Sequence, residues 1–195
     1  MSIGVIILAA GNSSRLGQPK QLLYYEDASL INRVTREATL FAGDAVIVVT
    51  GSAHDTIEAD IAGLSILTCH NPNWKDGMAS SIKTGLKHLL LVYPELKSCI
   101  ISVCDQPHLN AEVFQQLVLQ QQKSGTGIVA SQYAEVTGVP ALFERQYFDA
   151  LLHLKGQEGA RKLIAKYKDD MAVISFEKGA IDIDTIEDYN NLINK

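Results

Sequence analysis

The sequence predicts an α/β protein with a mostly parallel sheet, and three features carry that expectation. Apolar runs of strand length alternate with stretches of helical spacing; several of the runs are rich in Val and Ile; and each helical stretch carries one apolar stripe. With 195 residues, 47% apolar and 20% charged, the chain can bury a sizeable core, and it reads as one domain over residues 1–195.

The first strand is the apolar run at residues 4–8. Leu30, Ile31, Val34, Ala38 and Phe41 then keep helical spacing, and strands follow at 45–50 and 65–69. Met78, Ile82, Leu86, Leu89 and Tyr93 mark a second helix, 99–103 a strand, and Val113, Phe114, Leu117 and Val118 a third helix. The last third is less regular. Apolar segments at 127–131 and 140–143 lie close together, helical patterns follow at 144–154 and 158–167, and a last strand is expected at 172–176. That crowding suggests a small subregion with an antiparallel strand, packed at one edge. No repeat, low-complexity tract or Pro/Gly/Ser linker divides the chain.

The net charge is -5, from 17 Lys and Arg against 22 Asp and Glu, and no basic tract offsets it, which argues against nucleic acid and anionic membrane as partners. The apolar run at 5–10 is too short to span a bilayer and follows no basic segment, so a cytoplasmic protein is expected. Cys69, Cys99 and Cys104 lack the paired spacing of a zinc site and are expected as buried thiols.

Chemistry gathers first in the loop after the opening strand, Leu8-Ala9-Ala10-Gly11-Asn12-Ser13-Ser14-Arg15-Leu16-Gly17-Gln18-Pro19-Lys20. Small residues there let backbone N–H groups approach phosphate oxygens, and strand carboxyl ends are where open α/β sheets bind ligands. Ser13 stands where a dinucleotide GxGxxG motif needs glycine, and Gly17-Gln18-Pro19-Lys20 lacks the Gly-Lys-Ser/Thr of a P-loop. Arg15 and Lys20 would put two cations over a triphosphate.

At Cys104-Asp105-Gln106-Pro107 an apolar strand ends in a carboxylate, a Mg²⁺ ligand beside a triphosphate or else the cap of the helix beginning near Asn110. Extended geometry at Ile181-Asp182-Ile183-Asp184 puts both carboxylates on one face, where one can complete a metal site, while Asp184 or Thr185 can instead cap the final helix. Gly77-Met78-Ala79-Ser80-Ser81 opens a helix, with two hydroxyls in its first turn to offer a base or phosphate. Trp74 nearby reads more readily as packing than as stacking.

Taken together, the opening loop through Lys20-Gln21-Leu22-Leu23, Asn71-Pro72 through Ser81, Cys104-Asp105-Gln106-Pro107 and Asp182-Ile183-Asp184-Thr185 resemble the molybdenum cofactor cytidylyltransferases, a branch of the molybdopterin nucleotidyltransferases. The resemblance implies a three-layer, Rossmann-like nucleotidyltransferase fold around a mostly parallel sheet. It implies Arg15, Lys20 and Asp105 as catalytic residues, and Leu8, Ala9, Ala10, Gly11, Gly77, Ser80 and Ser81 as nucleotide-binding residues. Gly138, Pro140 and Arg161 fall on the acceptor side, with Mg²⁺ on Asp105 and on Asp184 or Asp182. CTP and a phosphorylated pterin, the molybdenum cofactor, are the implied substrates, and a molybdoenzyme is a candidate recipient. Ala9-Ala10-Gly11, in place of the Ala-Gly-Gly usual in the guanylyl branch, points to cytosine. Gln157 and Val139 depart from the pattern common among relatives on the acceptor side.

The implied reaction moves CMP from CTP to the terminal phosphate of the acceptor and releases pyrophosphate. An ionised phosphate needs no general base, and none of the five histidines falls in the motifs. The rival readings are a nucleotidyltransferase acting on a sugar or polyol phosphate and a non-catalytic cofactor-delivery protein.

Overall fold

The computed structural model describes residues 3–13 and 16–194. Strand β1 (Ile3–Ala9) leads through the first loop to a 3-10 turn (Lys20–Leu22), then to a two-residue ladder of β2 (Tyr24–Tyr25) with β3 (Ala28–Ser29). Helix α1 (Leu30–Ala42) follows, capped by the Ser29 hydroxyl, which accepts from the Asn32 amide at 3.1 Å. The chain continues through β4 (Val46–Thr50), α2 (His54–Ile61), β5 (Leu67–His70), α3 (Met78–Val92), β6 (Ser98–Val103) and α4 (Ala111–Ser124). It closes with the hairpin β7 (Ile128–Tyr133) and β8 (Val136–Glu144), then α5 (Phe148–Leu152), α6 (Ala160–Lys166), β9 (Met171–Ser175) and α7 (Ile186–Ile193).

The seven long strands form one sheet in the order β5-β4-β1-β6-β8-β7-β9. Pairing is parallel from β5 to β6 and between β7 and β9, while β8 runs antiparallel to both of its neighbours. Period-two geometry then builds three layers. Val5 and Ile7 face α1, α2 and α4 through Val34, Ala38, Ile57 and Phe114, whereas Ile6 faces α3 through Ile82, Leu86 and Leu89. Such apolar strands suit a sheet covered on both faces. Among the described residues, no helix is long and apolar enough to cross a membrane.

The expected strands are all present with shifted ends, and three local differences have physical causes. The antiparallel strand is not at an edge: β8 lies inside the sheet between β6 and β7, because Leu142 faces one helical layer and Phe143 the other. Its hairpin turns through Ala134 and Glu135 with φ of 44° and 61°, a mirror-type turn that Asn-Gly would announce and Ala-Glu does not. Helix α2 was not foreseen, since it contributes only Ile57 and Ile61 to the core and has no side-chain cap.

Parallel register sets the functional edge. Ala9 pairs with Thr50, Leu8 with Val103, and Thr50 with His70, so the segments leaving β1, β4, β5 and β6 emerge side by side.

Candidate active site

The loop leaving β1 is held from behind through its backbone carbonyls. The Gln21 side chain, 1% exposed, donates from Nε2 to the carbonyls of Ala9 at 3.0 Å and Gly11 at 2.8 Å. The Ser52 amide donates to Ala10 O at 3.2 Å and its hydroxyl to Gly11 O at 3.0 Å. Ala10 in turn sits so close to Gly51 that a Cβ there would lie 2.4 Å from the Ala10 carbonyl. Ala9 and Ala10 are therefore buried and Gly11 is exposed, while Ser13, at φ 49°, accepts the Lys20 amide on Oγ at 2.9 Å. Ser14 and the predicted catalytic residue Arg15 lie outside the described residues.

Lys20 is the centre of the next cluster. Its Nζ donates to Asp105 Oδ2 at 2.5 Å and to Asp184 Oδ1 at 2.8 Å. Burial works against the ammonium charge, but the Asp105 carboxylate and the hydrogen bonds to Asp105 and Asp184 outweigh it and raise the group above the ordinary lysine range. Asp105 does not cap the following helix: Asn110 does, accepting the Val113 amide at 3.1 Å. Nor does Asp184 cap α7, where Thr185 and Asp188 form a reciprocal capping box.

Ile183, fully buried, donates its amide to the Asp105 carbonyl at 3.1 Å and so ties the C-terminal segment to the end of β6. Asp182 makes no hydrogen bond to Lys20 but lines the adjoining cleft with Asp105. Partial burial, then the Asp105 and Asp184 charges, push its carboxyl above the usual range. Burial likewise pushes the Cys104 and Cys69 thiols up to about 12, so neither is a nucleophile; Cys99 is fully buried and shifts the same way.

The carboxylate oxygens of Asp105 and Asp184 already surround one cationic nitrogen, and hard oxygen donors suit Mg²⁺ or Mn²⁺. Among the described residues, no group of three or more His, Cys, Asp or Glu side chains forms a protein-only cage. One or two carboxylates completed by substrate phosphates is the usual arrangement for Mg²⁺ beside a nucleotide.

The start of α3 is knitted together by Asn71, a buried side chain at the end of β5. Its Nδ2 donates to Ser80 Oγ at 2.8 Å and Ser81 Oγ at 3.0 Å, and Ser80 Oγ donates on to the carbonyls of Gly77 and Asn73. Ser81 is buried and Ser80 half-buried, so both hydroxyls are committed to shaping the turn. Gly77 has φ 108°, and the Gly156 carbonyl stands 2.3 Å from where its Cβ would be. Trp74 is half-buried, with the Lys75 ammonium 5.5 Å from its ring centre.

Beside this edge a cleft of about 350 Å³ runs from Leu8 and Met78, past Asp105, Gln106 and Asp182, to Tyr133, Val139 and Arg161. Of the residues expected on the acceptor side, Arg161 lines the cleft. Gly138 backs it: a Cβ there would stand 2.6 Å from the Tyr133 hydroxyl and 3.4 Å from Arg161 Nε. Pro140 is buried in β8, its carbonyl accepting from Ser131 Oγ at 2.8 Å, and Val139 reaches the cleft in its place. Gln106, 4% exposed, donates from Nε2 to the carbonyls of Val139 at 3.2 Å and Gly179 at 3.0 Å, which joins β8 to the segment before α7. A wider groove of about 500 Å³ along Arg33, Glu37, His108 and Glu177 includes none of the expected site residues.

Sequence reasoning missed Gln21, Asn71, Ser52 and Gln106 as positioning groups. Gln21, Asn71 and Gln106 stood inside the quoted motifs, but they act through buried carbonyls and hydroxyls, and the side-chain pattern carried no signal for them.

The family profile described as "MobA-like NTP transferase domain" matches residues 5–171. The chain is 24% identical over 189 residues to the molybdenum cofactor cytidylyltransferase of Escherichia coli K12, covering 96% of this chain and 94% of that protein. A probable molybdenum cofactor guanylyltransferase of Bacillus cytotoxicus is 25% identical over 119 residues, 61% of this chain and 57% of that protein. The solved structure of Rv0371c from Mycobacterium tuberculosis H37Rv superposes with a TM-score of 0.85 at 27% identity, covering 100% of this chain and 99% of that one. A further structure of Rv0371C is a complex with manganese, at 25% identity, full coverage of both chains and a TM-score of 0.79. The chain belongs to the MobA-like NTP transferase family and is a nucleotidyltransferase.

Proposed function

We propose that this nucleotidyltransferase moves CMP from CTP onto the terminal phosphate of the molybdenum cofactor and releases pyrophosphate. The observation that carries the reading is the convergence of Lys20, Asp105 and Asp184 at the strand end beside the Ala9-Ala10-Gly11 loop. The near full-length likeness to a cytidylyltransferase supports cytosine, and the guanylyltransferase likeness covers less of both chains. The reaction uses a nucleoside triphosphate, which suits a cytoplasmic enzyme acting as one domain.

In this reading a terminal phosphate oxygen of the acceptor attacks the α-phosphorus of CTP in line. The new P–O bond forms as the bond to the β-phosphate oxygen breaks, and the electron pair leaves with pyrophosphate. Positioning and charge neutralisation supply the catalysis, because the nucleophile is already ionised. The Gly11 loop lies along the triphosphate, and the turn at Gly77, Ser80 and Ser81 faces the base. Lys20 neutralises charge around the α-phosphorus, and Arg15, in the same loop, is assigned to the pyrophosphate from sequence alone.

Asp105 and Asp184, with Asp182 beside them, would hold Mg²⁺, which when bound supplies Lewis-acid neutralisation of the phosphate oxygens. Arg161, Tyr133 and Val139 line the space beyond the carboxylates, where a phosphorylated pterin would lie with its phosphate toward Asp105.

The test supplies equal CTP and GTP with molybdenum cofactor and Mg²⁺, identifies the dinucleotide, and follows pyrophosphate. Asp105→Asn keeps the backbone carbonyl that holds Ile183 and is expected to lower turnover at least about 100-fold, as for other transition-state charge contacts. Parent-like turnover of that variant removes Asp105 from the chemistry. A predominant guanine product overturns the base choice, and turnover only with a sugar or polyol phosphate overturns the acceptor.

A further inference from the structure

We propose that Lys20 is a gate on the metal site: its ammonium holds the carboxylates until a nucleotide draws it away, so a divalent cation binds together with the nucleotide rather than before it. The inference rests on the reading of Asp105 and Asp184 as metal ligands. Three segments far apart in sequence meet at one nitrogen: the 3-10 turn after the first loop, the end of β6 and the residues before α7. Lys20 and Asp105 expose only 18% and 17% of their side chains, so the contact is largely shielded from water, where competition between cations for the same oxygens is weakly screened.

A metal ion held by Asp105 and Asp184 would compete with Nζ for their oxygens, against a like charge held there by the same two groups. The ammonium must leave for the metal to enter, and it leaves readily only when another anion accepts it. The structure provides the means. The Lys20 backbone is pinned by its amide to Ser13 Oγ at 2.9 Å, so the root of the side chain stays with the phosphate-facing loop while its four-carbon stem can swing. A triphosphate lying along Gly11 offers that second anion from the same loop. Metal and nucleotide then assist each other's binding through one displaced side chain, and the coupling is reciprocal.

The experiment measures Mn²⁺ binding by the electron-spin-resonance signal of the free ion, on the full chain without nucleotide or acceptor. The parent is compared with Lys20→Met, Lys20→Gln, Asp105→Asn and the double variant Lys20→Met/Asp105→Asn, each checked by thermal melting. Both Lys20 variants are expected to bind Mn²⁺ alone at least about tenfold more tightly than the parent, within the usual range of coupling between sites. Two variants are used because Met removes the polar head and Gln keeps a neutral donor, so a folding defect in one leaves the other to decide. Parent-like or weaker Mn²⁺ affinity in the folded Lys20 variants, with binding lost in Asp105→Asn, overturns the gate and leaves the metal site standing. Equal Mn²⁺ binding by Lys20→Met and by the double variant Lys20→Met/Asp105→Asn, in which no ammonium masks the carboxylates, overturns the metal assignment and the gate with it.

Discussion

Gly11 and Gly77 stand on the same ligand-facing edge, yet the fold asks different things of them. A Cβ on Gly77 would meet Gly156 O at 2.3 Å and Gln157 Cδ at 2.9 Å, and φ of 108° is a conformation nearly confined to glycine. Backbone strain of this kind costs about 1–3 kcal/mol, and collision with a main-chain carbonyl adds to it, so Gly77→Ala is expected to lose about 3 kcal/mol. For a chain of this length, that lowers Tm by about 6–12 °C. A Cβ on Gly11 meets no atom within 4 Å, and its φ lies outside the left-handed range. Gly11→Ala should therefore keep Tm within about 2 °C of the parent. Its methyl group projects into the space assigned to the triphosphate, and KM for the nucleotide should rise about tenfold, equivalent to about 1.4 kcal/mol of binding. Thermal melts and initial rates of pyrophosphate release against nucleotide concentration measure both quantities. If Gly11→Ala melts as low as Gly77→Ala while KM is unchanged, both glycines serve the fold and the loop does not cradle phosphates.

Gln21→Ala removes two hydrogen bonds to the carbonyls of Ala9 and Gly11, each worth about 1 kcal/mol, so Tm should fall by about 4–8 °C and KM for the nucleotide should rise. Parent values for both would show that Gln21 does not hold the loop. The Tyr147 hydroxyl donates to Asp170 Oδ2 at 2.6 Å, which lowers the Asp170 carboxyl, while burial and then this bond raise Tyr147 to about 12. The depressed carboxyl contributes stability above its unfolded value near pH 4 and loses it as pH falls through the folded value. The raised phenol contributes fully below pH 10 and loses it as pH climbs toward 12. Tyr147→Phe should therefore melt about 2–4 °C lower between pH 5 and 9, for a partly exposed bond worth about 1 kcal/mol, with the gap closing at both extremes. A gap independent of pH would assign the loss to packing.

The strands of the parallel half were legible because each is an apolar run pinned between two helical layers, and Val5, Ile6 and Ile7 carry that information locally. The β7–β8 half was legible only as a crowded pair of apolar segments, since Ala134 and Glu135 turn the chain without the residues that normally mark such a turn. Among the described site residues, those with charge stood out: Lys20, Asp105 and Asp184. The amides that hold the loops did not, because Gln21 and Asn71 act through carbonyls and hydroxyls that no side-chain pattern displays. Pro140 shows the reverse failure. It was singled out by resemblance, but it is buried in β8 while its neighbour Val139 lines the cleft.

In the C-terminal segment one motif offered two readings that do not exclude each other. Asp182, Asp184 and Thr185 each had a plausible part in a metal site or a helix cap, and a single residue cannot do both. The structure divides the tasks among neighbours. Thr185 and Asp188 close the capping box and fix where α7 starts. Ile183 is buried against Leu23, Leu30 and Leu192, and its amide is bonded to the Asp105 carbonyl. Asp184 stands between these two anchors and is left to reach Lys20. Anchoring on both sides is what gives a carboxylate from the end of the chain a fixed position beside one from its middle. A cation-binding corner assembled from remote segments needs such fixed positions, because its oxygens must already be gathered when the charge arrives.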